Sequence, residues 1–313
     1  MTMAQFPDEQ VDGAFVRQDD AFDAWVTADG ESGFPAEAGR YHLYVSLACP
    51  WAHRTIIVRA LKRLDDAIGM TVVDPIRDDA GWRFGDGPGV ERDPLYGWTY
   101  LAEAYTATDL AYRGRITVPT LWDTVTRRIV SNNDDHIMRM FETEFDDVAG
   151  AHDLDFYPIA HHAEIDALND EIYETVNNGV YRAGFATDQP AYEAAVRGIF
   201  ATLDKLEARL ADRRYLFGRL PVETDWRLFV TLIRFDAVYV GHFKCNLRHI
   251  VDYPNLWGYL RDLYQFRDVA ATVNFDHIKR HYYMTHDEIN PTRIVPLGPI
   301  LDLTSAHGRD RLG

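Results

Sequence analysis

Cys49 stands at the end of an apolar run, Tyr41-His42-Leu43-Tyr44-Val45-Ser46-Leu47-Ala48, and is followed by Pro50-Trp51-Ala52-His53-Arg54. The order reads as a strand, a cysteine and the first turn of a helix. Proline favours the first helical position, where its missing N–H would have no partner anyway. A cysteine at such an N-cap meets free backbone N–H groups and the positive end of the helix dipole. Both favour a thiolate, and cysteines so placed have pKa values lowered to roughly 3.5–7.5. Free cysteine more often serves as a small buried hydrophobe; the strand before Cys49 and the Pro-Trp after it reverse that preference. Cys49 is the candidate nucleophile. Ala52 stands where a dithiol pair would place its second cysteine. An external thiol is therefore needed to resolve any intermediate on Cys49.

Other chemical arrangements are weaker. Cys49 and His53 lie four apart on one helix, but a structural zinc site wants four ligands and no second Cys/His cluster accompanies them. No metal is expected. His161, His162 and His281 read as solvated or locally hydrogen-bonded, and Cys245 as packed. No glycine-rich phosphate loop or Gly-x-Ser-x-Gly elbow is present.

The chain has 313 residues, 47% hydrophobic, a length that suits one large or two modest domains. Its net charge of −17 argues against nucleic acid or an anionic membrane surface as partner. No apolar stretch approaches a membrane span, and the first residues lack the basic and apolar regions of a secretory signal. Two cysteines cannot build a disulfide framework, so cytoplasmic residence is expected.

Residues 1–40 are polar and Gly/Pro-punctuated, and are expected to form an extension lying over the body. The pattern then predicts a strand over 41–48, a helix over 50–65 and a strand over 69–76, a unit whose short return implies parallel pairing by a right-handed crossover. Residues 77–115 interrupt it with many glycines interleaved with Trp82, Phe84, Tyr96, Trp98, Tyr100, Tyr105 and Tyr112. Loops of this length are usually functional or disordered, and such aromatic density argues against disorder. Residues 116–123 and 128–131 predict two antiparallel strands, and 132–141 a helix. From about 155 onward the periodicity is helical. One stripe runs through Ile165, Leu168, Ile172, Tyr173 and Val176, and another through Tyr192, Val196, Ile199, Leu203 and Leu206. Trp226 to Val240 reads as a central buried helix. The expected domains are therefore 1–40, 41–145 with its insertion at 77–115, 155–290, and a tail at 291–313.

Strand–Cys-Pro–helix, Val118-Pro119 before an antiparallel pair, and Ser131 opening the next helix resemble a thioredoxin-like domain. With the helical region that follows, the fold class is α/β plus all-α: a thioredoxin-like N-terminal domain and an all-helical C-terminal domain, as in a glutathione transferase. More narrowly, the chain resembles the xi class, the glutathionyl-hydroquinone reductases. The resemblance is carried by Cys49-Pro50-Trp51-Ala52-His53-Arg54, Gly81-Trp82, Ile129-Val130-Ser131-Asn132, Asn177-Asn178-Gly179-Val180-Tyr181-Arg182, Arg234-Phe235-Asp236-Ala237-Val238-Tyr239, His281-Tyr282-Tyr283 and Ile289-Asn290-Pro291.

The resemblance implies reductive removal of a thiol from an S-conjugated hydroquinone. Cys49 would attack the conjugate sulfur, and a second small thiol would regenerate it. A low-molecular-weight thiol is then the cosubstrate, with no tightly bound cofactor. Trp82 would line the thiol site, and Val118-Pro119, with a cis peptide, would present backbone groups to the thiol. Tyr181, Tyr239 and Tyr282 would surround the aromatic substrate and donate to the oxygen that becomes phenolate. The resemblance also implies a homodimer.

Two departures stand out. Where glutathione-using members carry a Glu-Ser pair for the γ-glutamyl group, this chain has Asn133-Asp134. A carboxylate there is expected to repel the ligand's own carboxylate. That points to a thiol lacking this group, such as mycothiol in an actinobacterial host, instead of glutathione. Second, Asp225 is preceded three places earlier by Val222, so the capping box expected at the central helix is missing and Thr224 is the substitute cap. The competing functions are a conjugating transferase and a non-enzymatic sensor whose Cys49 becomes capped by a small thiol.

Overall fold

A computed structural model describes residues 9–11 and 13–312; the start of the expected N-terminal extension, residues 1–8, lies outside them. The chain divides into two compact units. One comprises Asp19–Asp155 and Ala271–His281, and the other the remaining described residues.

In the second of these, β1 (Gln10–Val11) and β2 (Ala14–Phe15) form a short antiparallel ribbon. The first unit is built on a four-stranded sheet. Its strands are β3 (Tyr41–Val45), β4 (Ile68–Val72), β5 (Thr120–Asp123) and β6 (Arg128–Ser131), in the order β4-β3-β5-β6. β3 pairs parallel with β4, and the other pairings are antiparallel. Every residue of β3 is buried, as its unbroken apolar run requires of a central strand covered on both faces. The crossover between β3 and β4 is α1 (Pro50–Leu61), with Pro50 opening the helix behind Cys49. α1 stops short of residue 65 because Arg63 turns to φ 52°, a left-handed conformation that ends a helix.

The insertion is ordered by its aromatic rings, with α2 (Ala102–Thr108) as its helix. Tyr96 stacks on Trp98 at 4.5 Å, and both meet Trp122 of β5 edge-on. Asp93 accepts the Tyr44 hydroxyl at 2.9 Å and the backbone N–H of Tyr96 at 2.8 Å. Ser131 belongs to β6 and does not open the next helix. α3 (Asp134–Thr143) begins three residues later, capped by Asn133, whose side chain accepts the His136 N–H at 3.1 Å.

The other unit carries α4 (His162–Ile172), α5 (Gly179–Gly184), α6 (Gln189–Arg209), α7 (Glu223–Arg234) and α8 (Pro254–Tyr264). π-helical turns at Tyr173–Asn177 and Phe235–Tyr239 extend α4 and α7. All of α7 is buried. The unit boundary falls within α9 (Phe275–Thr285), after His281.

The start of α7 corrects the capping expectation. Val222 has no side-chain acceptor, yet the reciprocal half of the box is kept: Asp225 accepts the Val222 N–H at 2.8 Å. It also accepts the Leu216 N–H at 3.0 Å and the Tyr259 hydroxyl at 2.7 Å. Burial raises the Asp225 carboxyl to about 6 against these bonds. Thr224 is not the cap; its buried hydroxyl has no hydrogen-bond partner.

Candidate active site

Cys49 occupies the N-cap of α1 with extended backbone, φ −74° and ψ 122°. Its carbonyl accepts the His53 N–H at 3.0 Å, closing the first turn. The thiol is 9% exposed, and Sγ donates to the Val118 carbonyl at 3.4 Å. That bond uses the thiol proton, so it is given up when the sulfur ionises. The field of α1 is what then favours the anion.

The loop carrying Val118 is fixed from several sides. The Val118-Pro119 peptide is cis, as expected. The Thr117 carbonyl accepts the hydroxyls of Thr120 at 2.8 Å and Tyr105 at 3.0 Å. Asn132 donates to Thr117 Oγ1 at 2.8 Å. Asn132 thus locks the loop that meets the sulfur, a role its sequence neighbours gave no reason to assign.

The His53 Nε2 lies 2.7 Å from Thr272 Oγ1, and the ring is fully buried. Among the described residues, no group of three or more His, Cys, Asp or Glu is arranged to hold a metal.

Trp82 is buried and stacks on His281 at 5.3 Å, with the Arg77 guanidinium 5.0 Å from its ring. His281 is neither solvated nor locally bonded. It is buried, and because a carbonyl can only accept, its Nδ1 must donate to the Pro75 oxygen 2.6 Å away. Cys245 is fully buried, and burial pushes its thiol up.

At the start of α3, Asp134 and Asp135 both meet one nitrogen of Arg54, at 2.7 and 2.8 Å. Arg54 is itself 1% exposed and lies 4.7 Å from the Trp51 ring. The bare carboxylate expected at Asp134 is therefore corrected: its charge is paired. Arg54 ends the Cys-Pro-Trp-Ala-His-Arg motif, and its role was not legible because the two aspartates lie 80 residues on.

The three tyrosines named from sequence converge in the helical unit. Tyr282 is at the centre, 2.5 Å from the Tyr181 hydroxyl and 2.9 Å from that of Tyr239. Tyr239 and Tyr282 are fully buried, whereas Tyr181 is half-buried. Desolvation, aided by the neighbouring phenols, holds the Tyr239 and Tyr282 hydroxyls neutral far above the usual tyrosine range. Tyr181, the half-buried one, is the phenol of the three that an external acceptor can reach.

The motif around Tyr181 is explained by packing. Asn177 donates to the Arg227 carbonyl at 2.9 Å and the Thr231 hydroxyl at 2.6 Å, tying the π-helical turn before α5 to α7. Gly179 lets α6 approach, since a Cβ there would sit 3.2 Å from Ile199. Gly184 leaves room for the Phe243 ring, which a Cβ would overlap. Phe243 touches all three tyrosines, stacked on Tyr239 at 5.5 Å and edge-on to Tyr181 and Tyr282. Sequence reading passed over Phe243 in favour of its neighbour Cys245.

The chain matches the glutathione S-transferase N-terminal domain over residues 48–144 and the C-terminal domain over 189–262. It is 52% identical over 305 residues to the glutathionyl-hydroquinone reductase YqjG of Escherichia coli, covering 95% of this chain and 93% of the relative. The glutathione-bound structure of YqjG superposes with a TM-score of 0.91, covering 93% of this chain and 96% of that one. The glutathionyl-hydroquinone reductase PcpF of Sphingobium chlorophenolicum is 50% identical, covering 92% and 90% of the two chains. A Xi-class glutathione transferase from Natrialba magadii, also 50% identical, superposes with a TM-score of 0.91 over 93% of this chain and 89% of that one. With the sheet, the Cys-Pro helix start and the helical unit described above, this protein belongs to the glutathionyl-hydroquinone reductases, the xi class of glutathione transferases.

Proposed function

We propose that this protein removes a low-molecular-weight thiol from S-conjugated hydroquinones by thiol exchange at Cys49. The Cys49 thiolate attacks the conjugate sulfur. The attack takes place on the ketone tautomer of the conjugate, whose sulfur-bearing ring carbon has already gained a proton. An S–S bond forms, the bond from sulfur to that carbon breaks, its electron pair passes through the ring onto the oxygen as phenolate, and a proton on this oxygen completes the released hydroquinone. A second thiolate attacks the mixed disulfide, giving the free disulfide and regenerating Cys49. The hydroquinone carbon is reduced and two thiols are oxidised, so no other redox partner is needed. Attack depends on thiolate fraction, nucleophilicity and leaving-group acidity.

The observation that carries this reading is the single cysteine at the N-cap of α1, with Ala52 where a dithiol motif would place its resolving cysteine, in a chain half identical to two such reductases. Trp82 and the Val118-Pro119 backbone are assigned to the thiol, with Asn133 and Asp134. Tyr181, Tyr239 and Tyr282 are assigned to the hydroquinone oxygen, as a neutral donor chain that stabilises developing phenolate. The protein is read as a cytoplasmic homodimer, both its cysteines being free as a reducing compartment requires.

Glutathione is the first candidate for the thiol. Asn133 and Asp134, standing where the resemblance places a Glu-Ser pair for the γ-glutamyl group, support a second candidate, a thiol with sugar hydroxyls in place of that group's carboxylate, such as mycothiol. Parallel turnover of glutathionyl, mycothiyl and γ-glutamylcysteinyl hydroquinones decides between them. Cys49→Ala should abolish hydroquinone release with every conjugate. Release by the variant, or conjugation without release by the native protein, would overturn the reading in favour of a transferase. Capping of Cys49 without turnover would make it a sensor.

A further inference from the structure

We propose that Arg17 is a positioning residue of the phenol cluster, acting through Tyr181; this rests on the assignment of that cluster to the hydroquinone oxygen. The segment before Arg17 lies along α5 within the same unit. The Thr187 N–H donates to the Gly13 carbonyl at 3.1 Å. Phe15, buried in β2, has its ring 6.5 Å from Tyr181 and 5.5 Å from Phe185. The Arg17 guanidinium lies 5.0 Å from the centre of the Tyr181 ring, and its Nε donates to Asn178 Oδ1 at 3.2 Å. Asn178 and Tyr181 are three apart and share a helix face. The arginine is therefore held by one residue of that face and laid over the other.

The placement matters because of how the donor chain ends. Tyr239 and Tyr282 are sealed from solvent, whereas Tyr181 is half-buried. Donation outward runs from the two sealed phenols to Tyr181, the one an external acceptor can reach. Polarisation along such a chain strengthens each bond. As phenolate develops on the substrate, the Tyr181 oxygen takes up part of the negative charge, and a cation over the ring face stabilises it. Arg17 thus fixes the outermost donor and supplies its positive field from an N-terminal segment outside both matched domains.

The test uses the full-length protein and glutathionyl hydroquinones whose ring substituents vary the acidity of the released phenol. Arg17→Gln removes the charge and Arg17→Lys retains it. R17Q should lower kcat about fivefold to tenfold, with KM for glutathione unchanged and a loss that deepens as the released phenol becomes less acidic. R17K should recover most of it. Wild-type kcat in R17Q, a loss uniform across the series, or R17K no better than R17Q would overturn the proposal. If R17Q lowers thermal stability, comparing it with R17K below both transitions carries the test. Tyr181→Phe separates the two levels. Full activity in that variant sinks the cluster assignment itself, whereas a slow Tyr181→Phe beside a normal R17Q removes Arg17 alone.

Discussion

The surroundings of Cys49 and the phenol cluster are built by opposite means. Cys49 is placed by backbone: a strand end, a proline at the helix start and the carbonyl of Val118 fix the sulfur, and the first two lie within six residues of it. The phenols are placed by side-chain packing among residues 181, 239 and 282, with Phe243 between them and Gly184 making room. A backbone-built site tolerates changes in nearby side chains but cannot survive loss of its one reactive atom. A packing-built site loses function gradually, through volume and hydrogen-bond changes spread over several helices.

That contrast orders the expected effects of substitution. Cys49→Ala should cost at least about 10³-fold in turnover while leaving the melting temperature within a few degrees of native. A large loss of stability would mean that Cys49 is chiefly a packing residue. Arg54→Ala removes a buried guanidinium from two partly exposed carboxylates, Asp134 and Asp135, and should destabilise by about 1–3 kcal/mol. Denaturant unfolding checks this, and a change below ~1 kcal/mol would show that solvent already screens the pair.

Within the phenol cluster the effects should be smaller and graded. Tyr282→Phe breaks the centre of the chain and should lower kcat about 10–100-fold, more than Tyr239→Phe at its inner end. Equal losses would show that the order of donors does not matter. Gly184→Ala pushes a methyl into Phe243 and should cost about 1–3 kcal/mol, together with a loss of turnover. Activity untouched at reduced stability would separate packing from catalysis here.

The smallest expected effect is a difference in pH response between the units. Burial lowers His42 in the sheet unit and His242 in the helical unit to about 4 each. Unfolded histidine titrates near ~6.5, so the unfolded chain takes up protons that the folded one refuses. The stability each ring contributes is full above that value and is lost as pH falls toward 4. Asp225 works in the opposite sense. Its folded carboxyl is raised to about 6, so its contribution is full below the unfolded value and is lost as pH rises through 6. Asp236 in the same unit is also raised by burial. Lowering the pH from 6.5 to 5 should therefore weaken hydrogen-exchange protection in β3 and β4 more than in α7, after correction for intrinsic exchange. Equal weakening would contradict the assignment of these groups.

The same contrast explains what sequence could yield. The strand, Cys49 and the start of α1 were legible because a single short motif determines them, and β5 and β6 followed from alternation around a turn. Helix limits were less so: α1 ends early where Arg63 adopts a left-handed conformation, and α3 starts late because Asn133, not Ser131, is the cap. The three tyrosines were reached only by resemblance, since nothing local marks a phenol as one of a trio. Arg54 and Arg17 carry no local signal because the partners named for them lie dozens of positions away, and two of the three tyrosines that Phe243 touches are as distant. Local periodicity cannot distinguish a buried arginine holding two carboxylates from one that simply faces water. His281 failed the same way, its partner being the Pro75 carbonyl.

The most direct measurement is a single turnover of a glutathionyl hydroquinone on reduced protein with no free thiol added. One equivalent of hydroquinone should appear as Cys49 gains the mass of one glutathione, and added thiol should then remove that adduct and restore activity. Hydroquinone released with Cys49 unmodified, or an adduct on Cys245 instead, would contradict the mechanism.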